Sequence, residues 1–278
     1  MRILIIVHLY YHDMWPELAE CIAACPASFD LYISVVDNED DARTRITAQF
    51  PHAKVVMVDN RGFDVGPFIH ILNSVDLAHY DAVVKLHSKR DVHAKCIIRG
   101  NDVGKAMWRR RLLSFCDSTE HWQKTLCLLQ EHGVGMVGNG SLAISPFADP
   151  VKNRHEVQQI FSRVGLPFKG GYFVAGTMFA VRAELLSCLQ GVYQLSDFDE
   201  PDRSQRDCAP HFFERAFGYL IYAQGFKLKS WDGQPFEREV FWSKIRSTIF
   251  HTYYGRRHII YKFFGIPVGW RRWDRDKA

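Results

Sequence analysis

The chain has 278 residues, 47% of them hydrophobic and 14% aromatic, with 35 Lys/Arg against 31 Asp/Glu and a formal net charge of +4. That balance excludes a disordered or fibrous chain and predicts one large α/β domain or two small ones with ample core. Seven cysteines without a C-x-x-C pair argue against a disulfide framework, and no run of about 18 apolar residues reads as a membrane span, so a cytoplasmic protein is expected.

The charge is unevenly placed. From Lys244 onward there are nine Lys/Arg and two Asp, leaving 26 basic against 29 acidic residues in the rest of the chain. The positive charge therefore belongs to the tail.

In chain order, Ile3–Val7 reads as a buried strand, followed by a helix from about Pro16, a good first-turn residue, to Cys25. Phe29–Val36 is a second strand, and a short helix follows to Phe50. Val55–Val58 is a third strand and stops at Asp59-Asn60-Arg61-Gly62. Helical spacing from Gly66 to Val75 leads to a fourth strand, Ala82–Leu86, which stops at His87-Ser88-Lys89-Arg90-Asp91. Helices around 106–113 and 121–131 and a strand at 134–137 continue the alternation. It predicts a mostly parallel sheet with helices on both faces, and in such sheets ligands bind just past the carboxyl ends of the strands. Downstream, 182–189 reads as helix, and a further helix runs from His211 to Ala223.

A dinucleotide-binding Rossmann domain does not fit. The turn after the first strand, His8-Leu9-Tyr10-Tyr11-His12-Asp13, has no glycine to admit a pyrophosphate. A P-loop is also missing, so any nucleotide is held differently.

The segments ISVVDNEDDA (33–42) and VDNRGFDVGPF (58–68) resemble the nucleotide-binding segments of the large GT-A glycosyltransferase class. More closely, NRGFDVGPFIHIL, YDAVVKLHSKRDVH, GYFVAGTMFAVRAELL and HFFERAFGYLIYAQG resemble, in that order, the rhamnan synthesis protein F family over roughly residues 1–230. The resemblance implies a GT-A-like fold, α/β with a mostly parallel central sheet. It implies a glycosyltransferase domain over 1–235, followed by a basic aromatic extension over 236–278. The implied activity is transfer of a hexose, with rhamnose as a candidate, from a nucleoside diphosphate sugar to a growing surface polysaccharide or lipopolysaccharide glycan.

The candidate donor-binding residues lie at the strand ends. They are His8 after the first strand, Asp37 after the second, Asn60, Gly62 and Asp64 after the third, and Lys85, His87 and Lys89 along and after the fourth. Asp37 reads equally as a helix N-cap, while Gly62, with Asp64 and Gly66 close behind, reads as a close approach of ligand to backbone, with an ordinary turn as the alternative. Most GT-A enzymes end the fourth of these strands in Asp-x-Asp, which holds a divalent metal. Here the residues are cationic or neutral. Lys85, His87 and Lys89 alternate and so point to one face of an extended backbone, where they could offset the charge of a leaving nucleoside diphosphate. The alternative is a solvated basic loop. No metal ligand set is assigned, although a divalent ion (Mg or Mn) held by His87 and a distant carboxylate stays open. Arg109-Arg110-Arg111 reads as a solvated face and Asp197–Asp202 as an acidic loop.

Gly176 and Thr177, in the glycine-broken aromatic segment, are candidates for the acceptor sugar, with core packing as the alternative. His211 and Glu214 share a helix face. Glu214 is the candidate base for the acceptor hydroxyl, and the plainer reading is a first-turn charge complementing the helix dipole. The aromatic and basic tail fits an anionic membrane surface, or a helical pair packed on the body; nucleic acid is not expected. A peripheral location at the inner face of the cell membrane follows from the first of these. The competing function is a non-catalytic sugar-nucleotide or glycan-binding module. A nucleotidyltransferase ranks behind both, since it would need paired metal-binding carboxylates.

Overall fold

The computed structural model describes residues 1–36, 40–90, 97–98, 101–102, 105–144, 151–201, 208–238, 241, 245, 249–254, 258–264 and 266–272. The sequence begins with β1 (Arg2–His8), six of whose seven residues are buried. An unbroken apolar run is what a strand flanked on both sides requires. β1 pairs in parallel with β2 (Ser28–Val35) on one side and with β4 (Ala82–His87) on the other. β3 (Lys54–Met57) adds to β2, again in parallel. The connecting helices are α1 (Trp15–Ala23), α2 (Asp40–Gln49) and α3 (Val65–Ser74).

The chain thus steps outward from β1 to β2 and β3, and then returns to place β4 on the far side of β1. Right-handed crossovers put α1 and α2 on one face and α3 on the other. Two contacts agree with this. The indole of Trp122, on α5 (Thr119–Gln130), donates to Cys21 O of α1 at 2.7 Å. On the opposite face Phe68 of α3 stacks edge-on against Phe217 of α7 (Ala209–Ala223) at 5.6 Å. The reversal of direction makes the β1/β4 boundary a topological switch point, where the strand ends splay into a crevice.

The rest of the sheet is β5 (Val134–Gly138), β6 (Phe179–Arg182) and β7 (Lys227–Ser230), giving the order β7-β5-β6-β4-β1-β2-β3. The expected α/β architecture, a mostly parallel central sheet flanked by helices, is the one found. One strand runs the other way. β6 is antiparallel to both β4 and β5, and strand direction is set by partners distant in the chain, which periodicity does not report. The helix expected over 182–189 is correspondingly shorter, a 3₁₀ segment at Ala183–Leu189. α4 (Lys105–Leu113) is tied to α1 by Arg109 Nε and Glu17 Oε2 at 2.5 Å.

The tail departs from the helical alternative. β8 (Phe250–Tyr254), β9 (His258–Phe263) and β10 (Ile266–Arg272) form a three-stranded antiparallel sheet of their own. Its Tyr, Ile, Phe and Thr content favours strands over helix.

Candidate functional site

Parallel register brings His8, His87 and Ser34 into one row at the carboxyl rim, with His8 opposite His87 on β4 and opposite Ser34 on β2. The Ser34 hydroxyl donates to Val7 O at 3.3 Å and lies 3.0 Å from His8 Nδ1. His8 Nδ1–H therefore donates to that hydroxyl, leaving Nε2 as the acceptor nitrogen. Burial pushes the His8 imidazole down to about 3, with Asp64 opposing the shift and His87 and Lys85 adding to it.

His87 Nε2 is 2.8 Å from Gly176 O, so this nitrogen carries the proton. Burial also drives His87 down, to about 4, against the pull of Asp64. Both imidazoles are neutral at pH 7.

Asp64 sits at the entry to α3 and makes no cap hydrogen bond with its side chain. Its Oδ2 instead accepts from Lys85 Nζ and, at 2.5 Å, from Thr177 Oγ1. Burial alone would raise the Asp64 carboxyl; the positive field at His87 and Lys85 and these two hydrogen bonds outweigh it and hold the group far below the usual carboxylate range. With His87 uncharged near neutrality, Lys85 supplies that field there.

Lys85 is 1% exposed. Beyond Asp64 it donates to Thr177 O at 3.2 Å and to Thr177 Oγ1 at 3.1 Å. It is an interior cation whose partners within the chain are Asp64 and Thr177, where the sequence suggested one facing a phosphate. Of the alternating trio, His87 and Lys89 line the pocket, His87 without charge. Lys89 Nζ also lies over the Trp108 ring at 5.8 Å.

Gly176 and Thr177 hold the site together. The Gly176 amide donates to Glu214 Oε1 at 2.6 Å while its carbonyl accepts from His87. One residue thus joins the candidate base on α7 to the rim of β4. Gly176 has φ +90°, and a Cβ there would lie 2.6 Å from Leu112. Thr177 is held at φ +53° and Phe63, next to Asp64, at φ +52°. Such conformations cost about 1–3 kcal/mol each and persist where surrounding contacts over-determine them. Thr177 is buried, as the core alternative for this segment required, yet its hydroxyl is spent on Asp64 and Lys85.

The cleft itself has a volume of about 250 Å³, just under the roughly 300–1,000 Å³ usual for a small-molecule site. Its walls include His8, Tyr10, Tyr11, Asn60, Phe63, Asp64, His87, Lys89, Arg90 and Pro201. Ser88, quoted within a motif but not singled out by sequence, accepts from Tyr11 N at 2.8 Å and fixes the β1 loop against the β4 loop. Arg90 clasps Asp13 through Nε and Nη2 at 2.6–3.0 Å and covers the Tyr11 ring at 4.7 Å. Neither pairing is visible in local sequence, because 77 residues separate the partners.

Other expectations fall differently. Gly62 has φ +67°, but the space its missing Cβ leaves is taken by Phe198 at 2.7 Å, and its amide donates to Asp199 O at 2.9 Å. The close approach it permits is to the protein's own ring and not to a ligand. His211 Nδ1 lies 3.2 Å from Cys208 Sγ in the first turn of α7, away from the cleft walls. Asp37 lies outside the described residues. Asp197 and Asp199 belong to a 3₁₀ turn and loop that buttress Gly62, as a loop reading implies.

A divalent ion has no ready seat among the described residues. No three of their His, Cys, Asp and Glu side chains converge, and the buried Asp64 oxygen already carries an ammonium and a hydroxyl.

A model of the family described as "Rhamnan synthesis protein F" matches residues 1–226. Two proteins of Xanthomonas campestris pv. campestris, both called "Uncharacterized protein WxcX", are 22% identical over 229 residues. That match covers 81% of this chain and 32% of each relative, so the chain spans about a third of their length. Among solved structures, S. aureus TarS 1–349 is similar at 11% identity and TM-score 0.45, over 83% of this chain and 58% of that one. Glucosyl-3-phosphoglycerate synthase from Mycobacterium tuberculosis, in complex with Mn2+, UDP and glucosyl-3-phosphoglycerate, is similar at 14% identity and TM-score 0.34, over 98% and 90% of the two chains.

Proposed function

Since the chain belongs to the rhamnan synthesis protein F family, we propose that it is a glycosyltransferase that takes a sugar from a nucleoside diphosphate donor. The family's description, rhamnan synthesis, suggests rhamnose as that sugar, and in this reading the product is a surface polysaccharide or lipopolysaccharide glycan. The observation that carries the reading is a pair of hydrogen-bonded chains at the switch point, joined by the Gly176–Thr177 backbone. One runs from Glu214 through the Gly176 N–H and carbonyl to His87, the other from Thr177 to Asp64 and Lys85.

In this reading the nucleoside lies toward His8 and Asn60, with His8 Nε2 accepting from a ribose or base donor and Asp37 serving the same end. The pyrophosphate lies toward Lys89 and His87. His87 binds it by taking up a proton: Nε2–H stays on Gly176 O, and the new Nδ1–H donates to a phosphate oxygen. Asp64, locked by Lys85, faces the sugar. The acceptor hydroxyl attacks the anomeric carbon, its proton passes to Glu214, and the bond from that carbon to the phosphate oxygen breaks. The electron pair leaves with the nucleoside diphosphate, where Lys89 and protonated His87 stabilise it. Gly176 and Thr177 set the floor of the site, with His211 further along the acceptor path. The acceptor is a glycan or lipid-linked glycan, and the enzyme works at the inner, anionic face of the cell membrane.

A binding module without catalysis is the second reading, and one observation favours it: Glu214 already has a structural task in holding the Gly176 amide.

The test is thermal stability across a panel of nucleoside diphosphate sugars, with Mn²⁺ and with EDTA. A ligand at 100 times its Kd stabilises the folded state by about 2.7 kcal/mol. The expected result is a donor-dependent rise that survives EDTA and weakens in Lys89→Ala. A rise that strictly needs the metal would contradict the cation-based handling of phosphate, and no rise with any donor would contradict the donor class.

A further inference from the structure

We propose that the sheet β8–β10 is a docking surface whose occupant is an anionic lipid bilayer, met by one apolar face of the sheet. The inference deepens the membrane part of the reading above and rests on it. Ile266, Val268 and Trp270 alternate along β10 and therefore lie on one face. They are 67%, 60% and 69% exposed. Register extends the patch across the sheet, since Trp270 pairs with Ile260 and Ile266 with Phe263, itself 48% exposed. An apolar face this continuous is uncommon on a surface that meets only water.

Three observations select the bilayer as its cover. The segment from Lys244 onward holds nine Lys/Arg and two Asp, whereas the remainder carries a slight acidic excess. A second copy of the chain would set this cationic tail against its own like, whereas anionic headgroups supply the opposite charge. The patch carries an exposed Trp beside strand cations in the sequence (Trp270-Arg271-Arg272), a pairing suited to the headgroup level, where rings bury and cations stay wet. Finally, the family match stops at residue 226, so the sheet lies outside the matched region. No helix among the described residues is long and apolar enough to cross a membrane, and the contact proposed is a lateral one.

The experiment uses the full chain in flotation with phosphatidylcholine vesicles, with and without phosphatidylglycerol, alongside sedimentation to read oligomeric state and a donor thermal shift on the same preparations. Binding is expected to the anionic vesicles only and to weaken in high salt. The triple variant I266S/V268S/W270S should bind about tenfold more weakly or worse, with the donor shift retained. Lys262→Glu, which leaves the apolar face intact, should weaken binding several-fold. Wild-type binding by the triple variant, equal binding to neutral vesicles, or a wild-type dimer that the triple variant converts to monomer without any vesicle binding would each overturn the inference. Loss of the donor shift with vesicle binding intact would count against the nucleotide-sugar reading alone.

Discussion

Glu214→Gln should lower turnover by about 10²–10⁴-fold while leaving donor affinity nearly unchanged. A general base acts on the acceptor hydroxyl in the transition state, and its usual contribution is of that size. The structure makes this substitution unusually discriminating. Glu214 Oε1 accepts from the Gly176 amide at 2.6 Å, and the carbonyl oxygen of glutamine can accept the same bond. Gly176 then keeps its carbonyl on His87, so the donor side of the site is undisturbed. What glutamine cannot do is take a proton. A loss confined to kcat, with donor binding intact, removes an interaction made only in the transition state. If the carboxylate serves only to hold the Gly176 amide, the variant should turn over at close to the wild-type rate. Steady-state kinetics with a calorimetric donor titration separates the two outcomes, and a rate within twofold of wild type would remove Glu214 from the chemistry and favour the binding module.

Acid should destabilise the fold from about pH 6.5 downward, well before ordinary carboxylates titrate. Burial places His8 at about 3 and His87 at about 4 in the folded state, whereas an unfolded histidine titrates near 6.5. Between those values the unfolded chain binds protons that the folded chain refuses. Stability therefore rises with pH through this window and is complete above about 6.5. Each histidine should cost about 2 kcal/mol by pH 5, or about 4 kcal/mol for the pair. Asp64 is also held below its ordinary value, there against burial and not by it, so it acts in the same direction in pH. Its contribution is present above the unfolded carboxylate value and is lost only as pH falls below it. Urea unfolding at pH 7.5, 6 and 5 reads this directly, and His87→Gln should flatten the slope by about half. Equal stability at pH 7.5 and 5 would show that these histidines are not held neutral by burial.

The strand ends were legible in sequence because each apolar run stops at a polar cluster, and parallel pairing then forces those clusters to one rim. His8, Asn60, Asp64, His87 and Lys89 all reach the same cleft for that reason. Direction was harder to read than position. The alternation Lys85, His87, Lys89 suggests one shared side, but it says nothing of what already occupies that side. Asp64, 21 residues earlier, claims Lys85 outright. The neutrality of His87 likewise depends on burial between elements distant in the chain. Gly62 shows the same limit, since a glycine with positive φ marks a close approach without saying to what, and the answer here is Phe198. The placing of β6 is set by its partners β4 and β5, far away in the chain, and with it the reason Gly176 and Thr177 stand beside β4. The tail's composition announced a charged aromatic surface, while its folding into a sheet depended on pairing that periodicity alone did not reveal.

The central claim is that this cleft holds the pyrophosphate of a nucleotide sugar against His87, and histidine ring ¹⁵N resonances test it most directly. His8 and His87 are assigned by single substitution, and the spectrum is recorded at pH 6 as donor is added to saturation. Without donor, both rings should appear neutral, His87 protonated on Nε2 and His8 on Nδ1. With donor bound, His87 should take up a proton and show an imidazolium, while His8 stays neutral. A saturating donor that leaves the His87 ring neutral and unshifted would contradict the account.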